Sequence, residues 1–218
     1  MYNLQSEDGL LRREWLRMTV GGFGSLLLIL AQMNAQSRDI TFESFVSDLT
    51  EDAERLFRRK IGEESYVTRV ANLIRRIEPG LLRSRDPLIQ YKRFSIMELS
   101  LTAGRGFRYH DHRDYNSVTM VLSGQIRIKN FEIIDTGVIE SNRELRIRQT
   151  RTEDLQSRQI STLTTGRDNI HDIRALGSTR LLDIATRIGP NARSVYLDVD
   201  ESPIDKNSRV FRAAFRPE

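Results

Sequence analysis

From about Tyr91 to the end of the chain the hydrophobic period is two, and this limits the fold more than any other feature. The runs Phe94–Leu101, Ser117–Leu122, Gln125–Ile133, Arg143–Thr150, Arg158–Thr165, Thr179–Thr186 and Arg209–Phe215 alternate in this way, with turn residues between them. Such runs without intervening helices predict an antiparallel sandwich or barrel. The stretch Asp198–Asn207 is acidic and rich in turn residues, and reads as a loop before a last strand.

Ahead of this region the period is helical. Phe42, Phe45, Val46, Leu49, Ala53, Leu56 and Phe57 recur at spacings of three and four, as do Tyr66, Val67, Val70, Ala71, Ile74 and Ile77, until Pro79-Gly80 stops the pattern. Two amphipathic helices therefore precede the main domain, and their stripes read as packing surfaces. With 218 residues, 39% of them apolar, the chain can close one substantial core and is too short for two large domains.

The run Leu11-Arg12-Arg13-Glu14-Trp15-Leu16-Arg17 is followed by an apolar stretch from Met18 to Ala31 that contains Gly21, Gly22 and Gly24. This order resembles a twin-arginine signal peptide. The apolar stretch is shorter than the ~20 residues a membrane span requires, so no stable span is expected. The resemblance implies cleavage near Ala35 and export to the periplasm or the exterior. The alternative, an amphipathic helix with a surface arginine pair, leaves the protein cytoplasmic. The expected divisions are a signal over 1–35, a helical segment over 38–80 and a β domain over 88–218.

The absence of cysteine excludes disulfides, zinc fingers, Fe–S clusters and a thiol nucleophile, and leaves imidazole and carboxylate as the strong metal ligands. The net charge of +4 comes from 34 basic and 30 acidic residues interspersed along the chain. No basic-aromatic motif concentrates that charge, and no nucleic-acid partner is expected.

There are three histidines, His110, His112 and His171. On a strand, His110 and His112 project to one face while Asp111 points the other way, so two imidazoles can grip one ion. In Ile170-His171-Asp172-Ile173-Arg174-Ala175, alternation puts His171 on the face of Ile173 and Ala175, the side expected to line a barrel. A distant strand can thus supply a third ligand. Alone, a His-x-His pair is a weak signal and more often has a structural or surface role.

The wider pattern is Gly106-x3-His110-x-His112-x11-Gly124, with Asn169-Ile170-His171 several strands later. It resembles the cupin superfamily, whose small antiparallel β-barrel, or double-stranded β-helix, holds a metal through such a strand and a later histidine. Within cupins the chain is similar to the thiol dioxygenases over roughly residues 91–188. Phe94-Ser95-Ile96-Met97, Gly104-Arg105-Gly106 and His110-Asp111-His112 follow the spacing of cysteine dioxygenase. Asn169-Ile170-His171 and Leu181-Leu182-Asp183-Ile184 look more like the cysteamine dioxygenases and plant cysteine oxidases.

The resemblance implies a mainly β cupin barrel preceded by two helices, with His110, His112 and His171 as ligands of Fe(II). It also implies addition of both atoms of O2 to the sulfur of a small thiol such as cysteine, giving a sulfinate. Most cupins place a glutamate shortly after the second histidine, where this chain has Asn116 and Ser117. A site of three neutral imidazoles keeps the full charge of the ion and so favours an anionic thiolate.

Asp183 matches an aspartate of the cysteamine and plant enzymes and is the candidate to orient a ligand or receive a substrate amine; the alternative is a strand-end carboxylate paired with an arginine. Arg93, in Tyr91-Lys92-Arg93, echoes an arginine that binds the substrate carboxylate in cysteine dioxygenase; the alternative is a surface arginine. The chain departs from that enzyme at Ala185, where the family has tyrosine, and from the others at Thr186–Pro190, where they have Pro-Pro-Tyr. An isomerase, a non-thiol dioxygenase and a non-catalytic ligand-binding cupin remain as alternatives. A monomer or homodimer is expected.

Overall fold

A computed structural model describes residues 40–77, 88–135, 144–189, 192–204 and 207–216. The twin-arginine-like segment and its cleavage region lie outside the described residues. Two helices come first, α1 (Phe42–Phe57) and α2 (Glu63–Arg75). The strands that follow are β1 (Leu88–Gln90), β2 (Phe94–Leu101), β3 (Gly106–Asp111), β4 (Tyr115–Ser123), β5 (Gln125–Ile133) and β6 (Glu144–Gln156). After them come β7 (Ile160–Leu163), β8 (Ile170–Ala175), β9 (Thr179–Arg187), β10 (Leu197–Val199) and β11 (Val210–Phe215).

The helix α1 begins where the Thr41 hydroxyl accepts the Ser44 amide at 3.2 Å, satisfying a donor that a helix start leaves free. Its buried stripe of Phe42, Phe45, Leu49, Ala53 and Leu56 keeps the helical spacing seen in the sequence. Tyr66, Val67, Val70, Ala71 and Ile74 do the same on α2. Buried Asp52 of α1 accepts Nε of Arg69 on α2 at 2.8 and 2.9 Å, tying the pair together.

The strands form two antiparallel sheets, ordered β1-β2-β9-β4-β7 and β10-β11-β6-β5-β8-β3. Strands far apart in sequence lie side by side, with β9 between β2 and β4 and β8 between β3 and β5. This nesting rolls the chain into a double-stranded β-helix. The fold is the mainly β cupin barrel, preceded by two helices, that the resemblance implies.

Side chains alternate across a strand, so one set from each sheet faces the barrel interior. Val121, Ile126, Ile128, Leu155, Ile173 and Leu181 fill one end of that interior with hydrocarbon. The other end is open. On the reverse of the first sheet Phe94, Ile96, Val118, Met120, Leu182 and Ile184 are also buried. There α2 packs against β4 and β7, the Tyr66 hydroxyl meets that of Thr186 at 2.6 Å, and Glu63 accepts the Thr165 amide at 2.9 Å.

The two glycines of the histidine motif have steric reasons. A Cβ on Gly106 would lie 1.8 Å from the carbonyl oxygen of Ile173, because β3 and β8 approach too closely for any side chain there. Gly124 turns the chain from β4 to β5 with φ +82°, a left-handed conformation that glycine adopts freely, and its Cβ would lie 2.3 Å from the Ser178 carbonyl oxygen.

Besides shifts of one or two residues at strand ends and the short β1, the strands differ from the sequence reading at β6, β7 and β10. The acidic stretch expected to be a loop begins with strand residues, because Leu197–Val199 pair with β11 and bury Leu197 against Phe131 and Phe215. At the other chain ends, β6 continues to Gln156 along β5, and β7 starts at Ile160 because Arg158 takes a left-handed turn conformation with φ 70°. Among the described residues no helix is long and apolar enough to cross a membrane.

Candidate metal centre

The three histidines, spread over 62 positions of sequence from residue 110 to residue 171, meet at the open end of the barrel. His110 lies on β3 directly opposite His171 on β8, and His112 follows the last residue of β3. A β-bulge between Phe107 and His110 re-aims the strand just before the motif. The His112 amide donates to the Asn169 carbonyl at 2.6 Å, which holds the chain in register beyond the strand end.

Asp111 points away from its neighbours, as alternation requires, and is buried. Its Oδ1 accepts the Val195 amide at 2.7 Å, its carbonyl accepts the Ser194 hydroxyl at 2.7 Å, and Arg113 pairs with Oδ2. These bonds fasten residues 194–196 beside the motif and set the Tyr196 ring 5.7 Å from that of His110.

The Nε2 atom of His171 is 2.9 Å from Nε2 of His110 and 3.1 Å from Nε2 of His112. Nδ1 of His110 is 2.8 Å from the Arg108 carbonyl, which can only accept, so Nδ1 carries the hydrogen and Nε2 presents its lone pair. Burial pushes all three imidazoles toward the neutral form: His110 below its usual range, His112 down to about 3 and His171 well below, with mutual repulsion as a further cause for His112 and His171. Neutral imidazole is the form that ligates metals.

Converging nitrogens with no counter-charge between them suit a cation. Bonds of about 2.1 Å to a common ion would put ligand nitrogens roughly 3 to 4 Å apart, and the three ligand atoms lie within 4.8 Å of one another, with the two spacings to His171 at 2.9 and 3.1 Å. The donor set therefore fits one divalent metal ion. No carboxylate belongs to this cluster among the described residues. Asn116 accepts the Thr165 amide at 3.2 Å and Ser117 donates to Asp183 at 2.7 Å, so neither position takes up the ligand role of the usual glutamate.

The cavity in front of the histidines has a volume of about 360 Å³. Its walls are largely hydrocarbon, from Met97, Leu99, Phe107, Ile173 and Leu181, with polar groups at a few points. Asp183 lines it from β9. Its Oδ1 accepts the hydroxyls of Thr119 at 2.6 Å and Ser117 at 2.7 Å, and burial raises its carboxyl above the usual range despite those two bonds.

Arg93 is placed elsewhere. It stacks on the Phe57 ring at 3.2 Å and reaches Glu54 of α1 at 3.4 Å, and it is not among the residues lining the cavity. Arg187, which the sequence reading passed over, does line it, and its guanidinium has no hydrogen-bond or ion-pair partner among the described residues. Its signal was available: Arg187 lies four residues beyond Asp183, on the same face of the strand. Tyr115 and Tyr196 at the cavity carried no comparable pattern.

No family model matches the chain, and no curated protein matches it. Solved structures do. A cupin superfamily protein from Desulfitobacterium hafniense is similar at 19% identity, over 51% of this chain and 87% of that one, with a TM-score of 0.35. A protein with a double-stranded β-helix domain from Klebsiella pneumoniae is similar at 12% identity, over 49% of this chain and 73% of that one, at 0.35. An oxalate oxidase is similar at 13% identity, over 47% of this chain and 45% of that one, at 0.36.

Proposed function

We propose that the protein is an Fe(II)-dependent thiol dioxygenase that converts a small thiol to its sulfinate, RSH + O2 → RSO2⁻ + H⁺. The observation that carries this reading is the all-imidazole cluster lining the cavity, to which no carboxylate belongs among the described residues. His110, His112 and His171 would hold Fe(II), which when bound would supply the redox chemistry for adding O2 to sulfur. Because His110, His112 and His171 are neutral ligands, they would leave the charge of a bound ion uncancelled, which would favour a substrate bound as its thiolate over the thiol of free pKa about 8.5.

The remaining wall groups bind and orient. Arg187 is the cation at hand for a substrate carboxylate, the role that the sequence reading gave to Arg93. Asp183, its Oδ1 occupied by two hydroxyls, has Oδ2 left to hold a substrate amine or a proton. Met97, Leu99 and Phe107 exclude water from the reacting sulfur. Export by a twin-arginine route belongs to the same proposal, since that route carries proteins already folded around their metal.

The test is oxygen uptake by anaerobically loaded Fe(II) protein against a panel of thiols with and without a carboxylate. One O2 consumed per sulfinate formed, fastest with a carboxylate-bearing thiol, is the expected result. Oxygen uptake without sulfinate would point to another oxygenase reaction, and no uptake with tight metal binding to a non-catalytic role.

A further inference from the structure

Asn130 lies on β5 directly opposite His171 on β8. Along this face of the two strands Ile126 stands opposite Ala175, Ile128 opposite Ile173 and Asn130 opposite His171. The first two pairs are hydrocarbon packing at the closed end of the barrel. The third sets an amide beside an imidazole.

Both groups are buried, Asn130 at 0% exposure and His171 at 3%. Among the described residues neither Oδ1 nor Nδ2 of Asn130 has a hydrogen-bond partner, and neither has Nδ1 of His171. Buried polar groups are seldom left this way, and each such case calls for a cause. Here the two orphans complement one another. Nε2 of His171 faces the other two histidines, so for it to present a lone pair the ring hydrogen must sit on Nδ1, which then has to donate. An amide oxygen accepts. Side chains directly opposite on paired strands have Cβ atoms about 4.5–5.5 Å apart, within reach of one hydrogen bond or of one bridging water.

We propose that Asn130 is a positioning residue for His171. Its Oδ1 accepts the Nδ1 hydrogen of the imidazole, directly or through one buried water, and so fixes both the tautomer and the ring orientation that aim Nε2 at the metal. His110 has the same arrangement with a backbone acceptor, the Arg108 carbonyl at 2.8 Å. On His171 the neighbouring strand provides it, through a side chain whose amide atoms have no other hydrogen-bond partner among the described residues. The inference rests on the metal reading of the triad.

Two measurements test it, neither of them turnover. The first is titration of the apo protein with Co(II), followed by visible absorption, in wild type, Asn130→Leu and Asn130→Asp. Removing a partner of this kind lowers metal affinity about ten- to a hundred-fold. Asn130→Leu should show that loss, and Asn130→Asp, which keeps the acceptor oxygen, should not. The second is the ¹H–¹⁵N spectrum of the His171 ring in the Zn(II)-loaded protein, in which the Nδ1 hydrogen should be downfield and slow to exchange in wild type and lose both properties in Asn130→Leu.

Wild-type Co(II) affinity in Asn130→Leu, or an Nδ1 hydrogen of His171 that is unchanged between Zn(II)-loaded wild type and Asn130→Leu, overturns the proposal. Should Asn130→Leu fail to fold, a hundred-fold loss in Asn130→Asp overturns it as well. Failure of wild type to bind Co(II) at all would defeat the metal reading and this inference with it, whereas wild-type affinity in Asn130→Leu would defeat the inference alone.

Discussion

At the scale of single residues, the cavity combines groups whose ordinary protonation has been displaced by burial in opposite chemical directions. The imidazoles are held neutral, and Asp183 is held toward its protonated form. For Asp183 the raised carboxyl means that the folded state keeps a proton which the unfolded chain, with a carboxyl near pKa 3.9, has already released. Its contribution to stability is therefore full below the unfolded value and is lost as pH rises toward the folded one, by at most about 1.4 kcal/mol per pH unit across that window. Asp183→Asn should abolish this fall, so that urea midpoints of wild type and variant converge on acidification and separate toward neutrality. Parallel midpoints at all pH values would show that Asp183 titrates normally. His110, His112 and His171 could be picked out because strand alternation and a distinctive residue type coincide at each, whereas Asp183 was singled out only by its likeness to an aspartate of the cysteamine and plant enzymes. Arg93 was misplaced because a Tyr-x-Arg pattern says nothing about which side of a sheet meets the helices, and Arg93 turns to Phe57 and Glu54 of α1.

At the scale of elements, the site depends on how closely β3 and β8 approach. Gly106 permits that approach, four residues ahead of His110, and Phe107, opposite Ile173, begins the bulge that re-aims the strand. Gly106→Ala pushes a methyl group into the Ile173 carbonyl, and the strands must part or the register must slip. The variant should lose about 3 kcal/mol or more of stability and, where it still folds, bind metal weakly; thermal melting and metal titration check both. Unchanged melting would mean that the pairing is looser than the register indicates. The helices and most strands could be read from period alone, since the stripes on α1 and α2 match their buried faces. Strand β10 could not, because its three residues sit in an acidic, turn-rich context and owe their conformation to pairing with β11.

At the scale of the whole molecule, the first sheet serves two surfaces at once. Its inner face supplies Thr119, Asp183 and Arg187 to the cavity, while its outer face is sealed by α2, so the helical segment supports the wall opposite the histidines. The proposed export makes a separate prediction. Replacing Arg12 and Arg13 together by lysine should leave the precursor in the cytoplasm, as followed by cell fractionation, and continued export would reject the twin-arginine reading. The proposal for the chain as a whole depends on three imidazoles acting as one ligand set. Anaerobic titration with Fe(II), with bound iron counted per chain, tests this most directly. One iron per chain in wild type, with binding lost in His171→Ala, is the predicted result; no iron in wild type, or undiminished iron in His171→Ala, would contradict it.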